Sequence, residues 1–200
     1  MKSAVIDIET TALEGIGAGI VICACVRPLT TNRTRDFRLK YRDEWDPKVE
    51  GFLVYEETEL LRELVEEIGK YDLIIGQNID NFDLPYLRTR CFRRGLPFDF
   101  NPFTYDTMRA MGRTRFRTVN NSFGKPRKGL AMIADLLGVT QEKTAIYPAE
   151  HWMTIWGNAG QREGAMQDIQ HHCQADVRMT AKVYEMLLPY DQKAVIRRWM

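Results

Sequence analysis

The run Ser3-Ala4-Val5-Ile6-Asp7-Ile8-Glu9 constrains the fold more than any other stretch of this chain. It is short, rich in β-branched residues and bounded by Thr10-Thr11 and a glycine-containing segment, the pattern of a buried strand that ends at its acids. With a period of two, Asp7 and Glu9 leave the same face of that strand, about 7 Å apart along the backbone. Two carboxylates pointing into a packed face repel each other unless they are protonated or hold a cation. A metal ion resolves the conflict. The bland alternative is a strand end at which both acids reach water, since Asp-x-Glu is a common tripeptide.

The segments that follow predict a mixed α/β sheet. Gly19 to Val26 is apolar and stops at Arg27-Pro28, and Arg33 to Lys40 alternates charge with Phe37 and Leu39, so the first three strands read as an antiparallel meander. Glu56 to Lys70 places Leu60, Leu61, Leu64, Val65 and Ile68 at helical spacing, with glutamates read as solvated surface on the other face. Asp72 to Gly76 is too short and too branched for a helix, so strand, helix and strand in succession imply a crossover onto a parallel position. Further helices are expected over Asp83 to Arg94, near Gly129 to Leu137, over Gln161 to Leu188 and over Asp191 to Trp199, with a loop-rich basic region after the first of these. No internal repeat or dividing linker is visible, and residues 1–200 are read as a single domain.

Composition narrows the class. Of 200 residues, 44% are hydrophobic and 28% charged, which excludes disordered, collagen-like and coiled-coil readings. No apolar stretch approaches the roughly 20 residues of a membrane span, and Met1-Lys2-Ser3 enters the first strand without a secretory pattern, so a cytoplasmic protein with no membrane partner is expected. Cys23, Cys25, Cys91 and Cys173 lack CxxC pairing and read as reduced, buried thiols. The formal net charge of +1 conceals two opposed blocks: residues 41–83 hold 4 basic and 13 acidic side chains, and residues 84–130 hold 11 basic and 2 acidic ones. In the second block Arg88, Arg109, Arg113, Arg115, Arg117 and Lys128 are interleaved with aromatic residues, a mixture suited to phosphates and unstacked bases. The alternative is that these arginines neutralise the acidic block.

Two more segments hold acids against apolar neighbours. In Gly76-Gln77-Asn78-Ile79-Asp80-Asn81-Phe82-Asp83 a buried strand passes into a helix, where Asp83 is a site acid or an N-cap. In His171-His172-Cys173-Gln174-Ala175-Asp176-Val177 an acid lies close to the apolar face of the long helix, and such acids are seldom buried without partners. His172 stands four residues before Asp176 and shares its face, whereas His171 is rotated away in a continuous helix. Asp106, in Tyr105-Asp106-Thr107-Met108, reads as a strand-end acid or a group supporting the others.

Asp7-Ile8-Glu9-Thr10-Thr11, Asn78 to Asp83 with Leu84-Pro85-Tyr86-Leu87, and His172 to Val177 together resemble the three motifs of the DEDD superfamily of 3′ to 5′ exonucleases, in order and in spacing. The second motif is similar to the proofreading domains of B-family DNA polymerases, and the resemblance runs from Ser3 to Leu188. One departure concerns the third motif, where His171 has the spacing of a His-type motif and His172 that of a Tyr-type motif. The helical face favours His172 as general base, with His171 as the alternative should the helix begin only there.

The resemblance implies a ribonuclease H-like fold, a mixed sheet of antiparallel meander and parallel strands flanked by helices. It also implies hydrolysis of single-stranded nucleic acid from its 3′ end, DNA favoured over RNA, with release of nucleoside 5′-monophosphates. Asp7, Glu9, Asp83 and Asp176 would hold two ions, Mg²⁺ or Mn²⁺ given all-oxygen ligation. Thr10, Thr11 and Leu13 would flank the terminal nucleotide, with Asn78 and Phe82 shaping its pocket, and a DNA polymerase or a replication or repair protein would be a natural partner. RNA trimming and a non-cutting module that grips 3′ ends are the competing readings.

Overall fold

Branched apolar residues build the central layer. The computed structural model describes residues 1–13, 15, 19–31, 33–41, 55–114, 129–140, 151, 160–191 and 197–199. Strand β1 (Ser3–Thr10) pairs antiparallel with β2 (Val21–Pro28), which pairs antiparallel with β3 (Arg35–Arg38). Lys40–Tyr41 (β4) leaves this meander to form a separate two-stranded sheet with Tyr55–Glu56 (β5), so the expected third strand over Arg33 to Lys40 is divided between two sheets.

On the other side of β1 the sheet is parallel. Strand β6 (Leu73–Gly76) lies beside β1, and β7 (Phe103–Asp106) lies beside β6. The helices are α1 (Glu57–Ile68), α2 (Asp83–Arg93), α3 (Thr107–Arg113), α4 (Leu130–Leu136) and α5 (Arg162–Leu187). With β8 (Arg197–Arg198) on the far edge, the six-stranded order is β3-β2-β1-β6-β7-β8. This is the mixed sheet that the strand pattern implies. Residues 21–26 of β2 are all buried, the continuous apolar run expected of a strand covered on both faces, and α1 and α5 both pack against it.

Three expectations fail here for identifiable reasons. The tail is not helical where it is described: Arg197 and Arg198 pair with Thr104 and Phe103, and the Trp199 amide donates to Pro102 O at 2.8 Å. Without that partner β7 would present a row of unpaired backbone groups, a stronger demand than the helical spacing of a short terminal run. The region after α2 is not all loop, since it holds β7 and α3; four residues among aromatics and arginines are too few to display a period. The glutamates of α1 are not all solvated, because Glu57 and Glu67 are buried.

Candidate metal centre

Asp7 and Glu9 occupy the last half of β1, just before the register shifts between Glu9 and Thr10. Their cross-strand partners are Cys25 and Cys23, so both acids share one face of the sheet with two thiols. Helix α5 covers that face, and the Cys173 thiol donates to the Asp7 carbonyl at 3.3 Å. Free and buried, these three cysteines are the reduced thiols expected from their spacing. Ligand atoms of Asp7, Glu9 and Cys173 all lie within 4.8 Å of one another. Burial pushes the Cys173 thiol well above its ordinary value, which disfavours the thiolate and leaves the two carboxylates as the better candidate ligands of the cluster.

Asp83 arrives on the helix that follows β6, the parallel neighbour of β1. It is the first residue of α2, and its Oδ1 accepts the amide of Ile8, the residue between the two β1 acids, at 3.2 Å. The helix is not capped by a side chain at this end, so Asp83 is turned toward the sheet rather than engaged as an N-cap.

Helix α5 supplies the remainder. It is continuous from Arg162, so His172 and Asp176 lie one turn apart on the same face. His172 Nε2 is 3.8 Å from Glu9 Oε1 and 4.0 Å from Asp176 Oδ2, while His171 is exposed.

The electrostatics are those of crowded carboxylates. Burial first, then Glu9, Asp83 and Asp176, hold the Asp7 carboxyl well above its ordinary value. Burial and the charges of Asp176 and Asp83 push Glu9 up to about 8, and burial raises Asp83 to about 7 against the pull of the Ile8 amide. Burial raises Asp176 too, with His172 opposing. Four acids so placed favour either protons or cations, and an all-carboxylate oxygen set suits hard divalent ions.

A turn between β6 and α2 fixes Asp83. Asn78 sits at φ 60°, in the left-handed region that Asn tolerates, and its side-chain oxygen accepts from Asn81 Nδ2 at 3.0 Å. Gly76 is needed at the entry, because a β-carbon there would stand 2.8 Å from the Ile79 side chain. Asp106 clamps the turn from the end of β7: its Oδ1 accepts the amides of Asn78, Met108 and Arg109 at 3.1, 2.9 and 3.2 Å. It is a strand-end acid and, through Asn78, a support for the Asp83 turn. Thr107 adds bonds to Gly76 O at 3.2 Å and to the Gln77 side chain.

The remaining predicted site residues divide. Thr11 and Ile20 exchange bonds across the base of the loop after β1, and Thr10 Oγ1 donates to Ala12 O at 2.8 Å. Leu13 and Phe82 meet at a cleft completed by Gly15, Asn81, Pro85, Tyr86 and Thr89. Arg109 is paired with Asp80 at 2.7 Å and Arg113 with the buried Asp191, so both guanidinium groups are engaged within the fold. Arg88 is exposed, its guanidinium 5.7 Å from the Trp199 ring centre. Arg115, Arg117 and Lys128 lie outside the described residues.

Sequence reasoning missed Glu57. It is fully buried, bonds Arg90 and Arg94, and accepts the Val21 amide at 2.9 Å, while Arg90 also donates to Gly15 O at 3.1 Å. This ion pair ties the loop after β1 to α2. Part of the basic block thus neutralises the acidic one, as the bland charge reading anticipated. Glu57 is one of several glutamates in an amphipathic stretch, and nothing local marks it for burial.

Comparison with known proteins gives the family and the fold. A family model described as RNase_H superfamily matches residues 4–188. A DNA polymerase of Methanocaldococcus jannaschii is 38% identical over 52 residues, 26% of this chain and 3% of the polymerase. The structure of a family B DNA polymerase from the hyperthermophilic archaeon Pyrobaculum calidifontis superposes with a TM-score of 0.67 and 18% identity, covering 98% of this chain and 26% of the polymerase. The chain therefore spans only a small part of either relative's length, and the structural likeness bears on the fold alone.

Proposed function

Because the chain belongs to the ribonuclease H superfamily, we propose that it is a metal-dependent 3′ to 5′ exonuclease that hydrolyses single-stranded nucleic acid, DNA in preference to RNA, to nucleoside 5′-monophosphates. The observation that supports this reading best is the convergence of acids from three elements: Asp7 and Glu9 on β1, Asp83 bonded to the amide between them, and Asp176 on α5 beside the same histidine as Glu9.

In this reading Asp7, Glu9, Asp83 and Asp176 hold two Mg²⁺ or Mn²⁺ ions. When bound, such ions lower the pKa of water and neutralise charge on the attacking and leaving oxygens. His172, within 4.0 Å of both Glu9 and Asp176, takes the proton of the attacking water, and His171 takes no part. The loop carrying Thr10, Thr11 and Leu13 faces Phe82 across the cleft and seats the terminal nucleotide, with Asn78 setting the turn behind it. Association with a DNA polymerase or another replication or repair protein follows from the same likeness.

The test is direct. Single-stranded DNA and RNA of one sequence, labelled at the 5′ end, are incubated with Mg²⁺, Mn²⁺ or a chelator, and products are resolved by length. A descending ladder that needs a divalent ion and is lost in Asp7→Ala and Asp176→Ala is expected. Undiminished cutting by either variant, or internal cleavage only, sinks the assignment; faster shortening of RNA reverses the substrate preference; and 3′-end binding without cleavage makes this a gripping module.

A further inference from the structure

Helix α2 begins at the candidate metal centre and carries an exposed stripe past the cleft of the terminal nucleotide, and the far part of that stripe has no role in the proposed hydrolysis. Pro85, Arg88 or Thr89, and Phe92 recur at three- and four-residue intervals within α2 and are all exposed or half-buried, so they lie in line along the solvent side of the helix, with the exposed Asn81 in the turn before it. The first part of this line is the wall of the cleft shared with Leu13 and Phe82. Leu13 is 85% exposed and Phe92 84%, the two most exposed large apolar side chains among the described residues. An isolated exposed aromatic needs no explanation, but this one sits one helical turn beyond the cleft, on a helix that also exposes Arg88 and Arg93.

The charge is one-sided. Within α2 the only acid is Asp83, at the metal centre, against Arg88, Arg90 and Arg93. Arg90 is neutralised by Glu57, and Arg94 shares that glutamate. Arg88 and Arg93 are exposed, Arg88 one turn before Phe92 with its guanidinium 5.7 Å from the Trp199 ring centre, and Arg93 next to Phe92 in sequence. An exposed aromatic on the same helix surface as exposed arginines fits a base and its phosphates, because stacking tolerates any base and the arginines neutralise the backbone. From Asp83 to Phe92 the helix rises about 13 Å, the reach of a few nucleotides upstream of a terminal one held at the acids.

We propose that the strand leaving the metal centre runs along the exposed stripe of α2, with Phe92 as the stacking platform for an upstream base and Arg88 and Arg93 as partners of its phosphates. The proposal rests on the nuclease reading for the direction of the strand, but its binding surface is testable without cleavage.

The experiment uses the full chain and two probes. Binding of a 5′-fluorescein single-stranded oligodeoxynucleotide is followed by anisotropy with Ca²⁺ in place of the activating ion, and turnover of thymidine 5′-(p-nitrophenyl phosphate), too small to reach Phe92, is followed with Mn²⁺. Phe92→Ala is expected to weaken oligonucleotide binding about five- to tenfold, Phe92→Tyr to restore it, and Arg93→Gln to reduce the salt dependence of binding, all with small-substrate turnover unchanged. Wild-type binding in Phe92→Ala with turnover intact overturns the proposal and leaves the nuclease reading standing. Phe92-dependent binding without turnover supports the surface and sinks the nuclease reading. Absence of strand binding in the wild type overturns both. A dimer that dissociates in Phe92→Ala, with strand binding unaltered, assigns the patch to a second copy of the chain and likewise overturns the proposal.

Discussion

Asp83 Oδ1 accepts the backbone amide of Ile8 at 3.2 Å, joining residues 75 apart in sequence. Ile8 is the residue between Asp7 and Glu9, so one bond sets the first turn of α2 against the strand segment that carries the other two acids. The dependence of the site on this and similar contacts leads to four expectations.

Metal-free stability should fall as pH rises. Burial lifts Asp83 to about 7, and burial with neighbouring carboxylates lifts Glu9 to about 8, above the roughly 4 of an unfolded carboxyl. The folded chain then binds more protons than the unfolded one, so the contribution of these groups is complete below about pH 4 and lost by about pH 8. Melting in EDTA at steps across this window should show Tm decreasing with pH, Mn²⁺ restoring it at the alkaline end, and Asp83→Asn flattening the profile. A Tm that rises with pH and ignores Mn²⁺ contradicts the crowding of acids.

The two histidines should behave differently. His172→Ala is expected to lower turnover about 10²-fold, the lower range for loss of a general base, whereas His171→Ala, on the exposed side of α5, should stay within about twofold, the ordinary range for an uninvolved surface residue. Single-turnover rates on a labelled strand decide it. Equal losses, or a loss confined to His171→Ala, remove His172 from its role.

Asp106→Ala should loosen the turn before Asp83, since three amides lose their acceptor. A cost of about 1–2 kcal/mol is expected from the lost cap alone, together with weaker Mn²⁺ binding. Asp106→Asn keeps an Oδ1 acceptor and should retain the affinity. Chemical denaturation and Mn²⁺ titration by electron paramagnetic resonance separate the two effects; an affinity identical in all three proteins would mean that the clamp serves only α3.

Glu57→Ala leaves Arg90 buried and unpaired, and so should destabilise by about 3–5 kcal/mol, whereas Glu57→Leu with Arg90→Met should recover most of that loss. Urea unfolding of the single and double variants measures it. If the double variant is as unstable as the single, the Val21 and Gly15 backbone bonds outweigh the ion pair.

Much of this arrangement was legible in the residues because it obeys short periods. The β1 run, the apolar β2 and the leucines of α1 each announce their element locally, and His172 falls beside Asp176 by helical geometry alone. What stayed hidden depends on partners distant in the chain. Glu57 resembles its surface neighbours until Arg90 and Arg94 are folded beside it, and Asp106 shows its purpose only once β7 lies next to β6. The terminal run has helical spacing, yet the open edge of β7 recruits Arg197 and Arg198 as a strand, a demand no local pattern expresses. Arg109 and Arg113 belong to a basic cluster by composition, while their pairing with Asp80 and Asp191 is a property of the assembled α3.

Contributions from β1, α2 and α5 also make the cluster a report on tertiary docking. Asp176 rides on a 26-residue helix that must pack against β1 and β2 before its carboxyl joins the others. A folding intermediate with the sheet formed and α5 undocked would lack that acid, so the crowding of carboxylates appears only with the last layer of the fold.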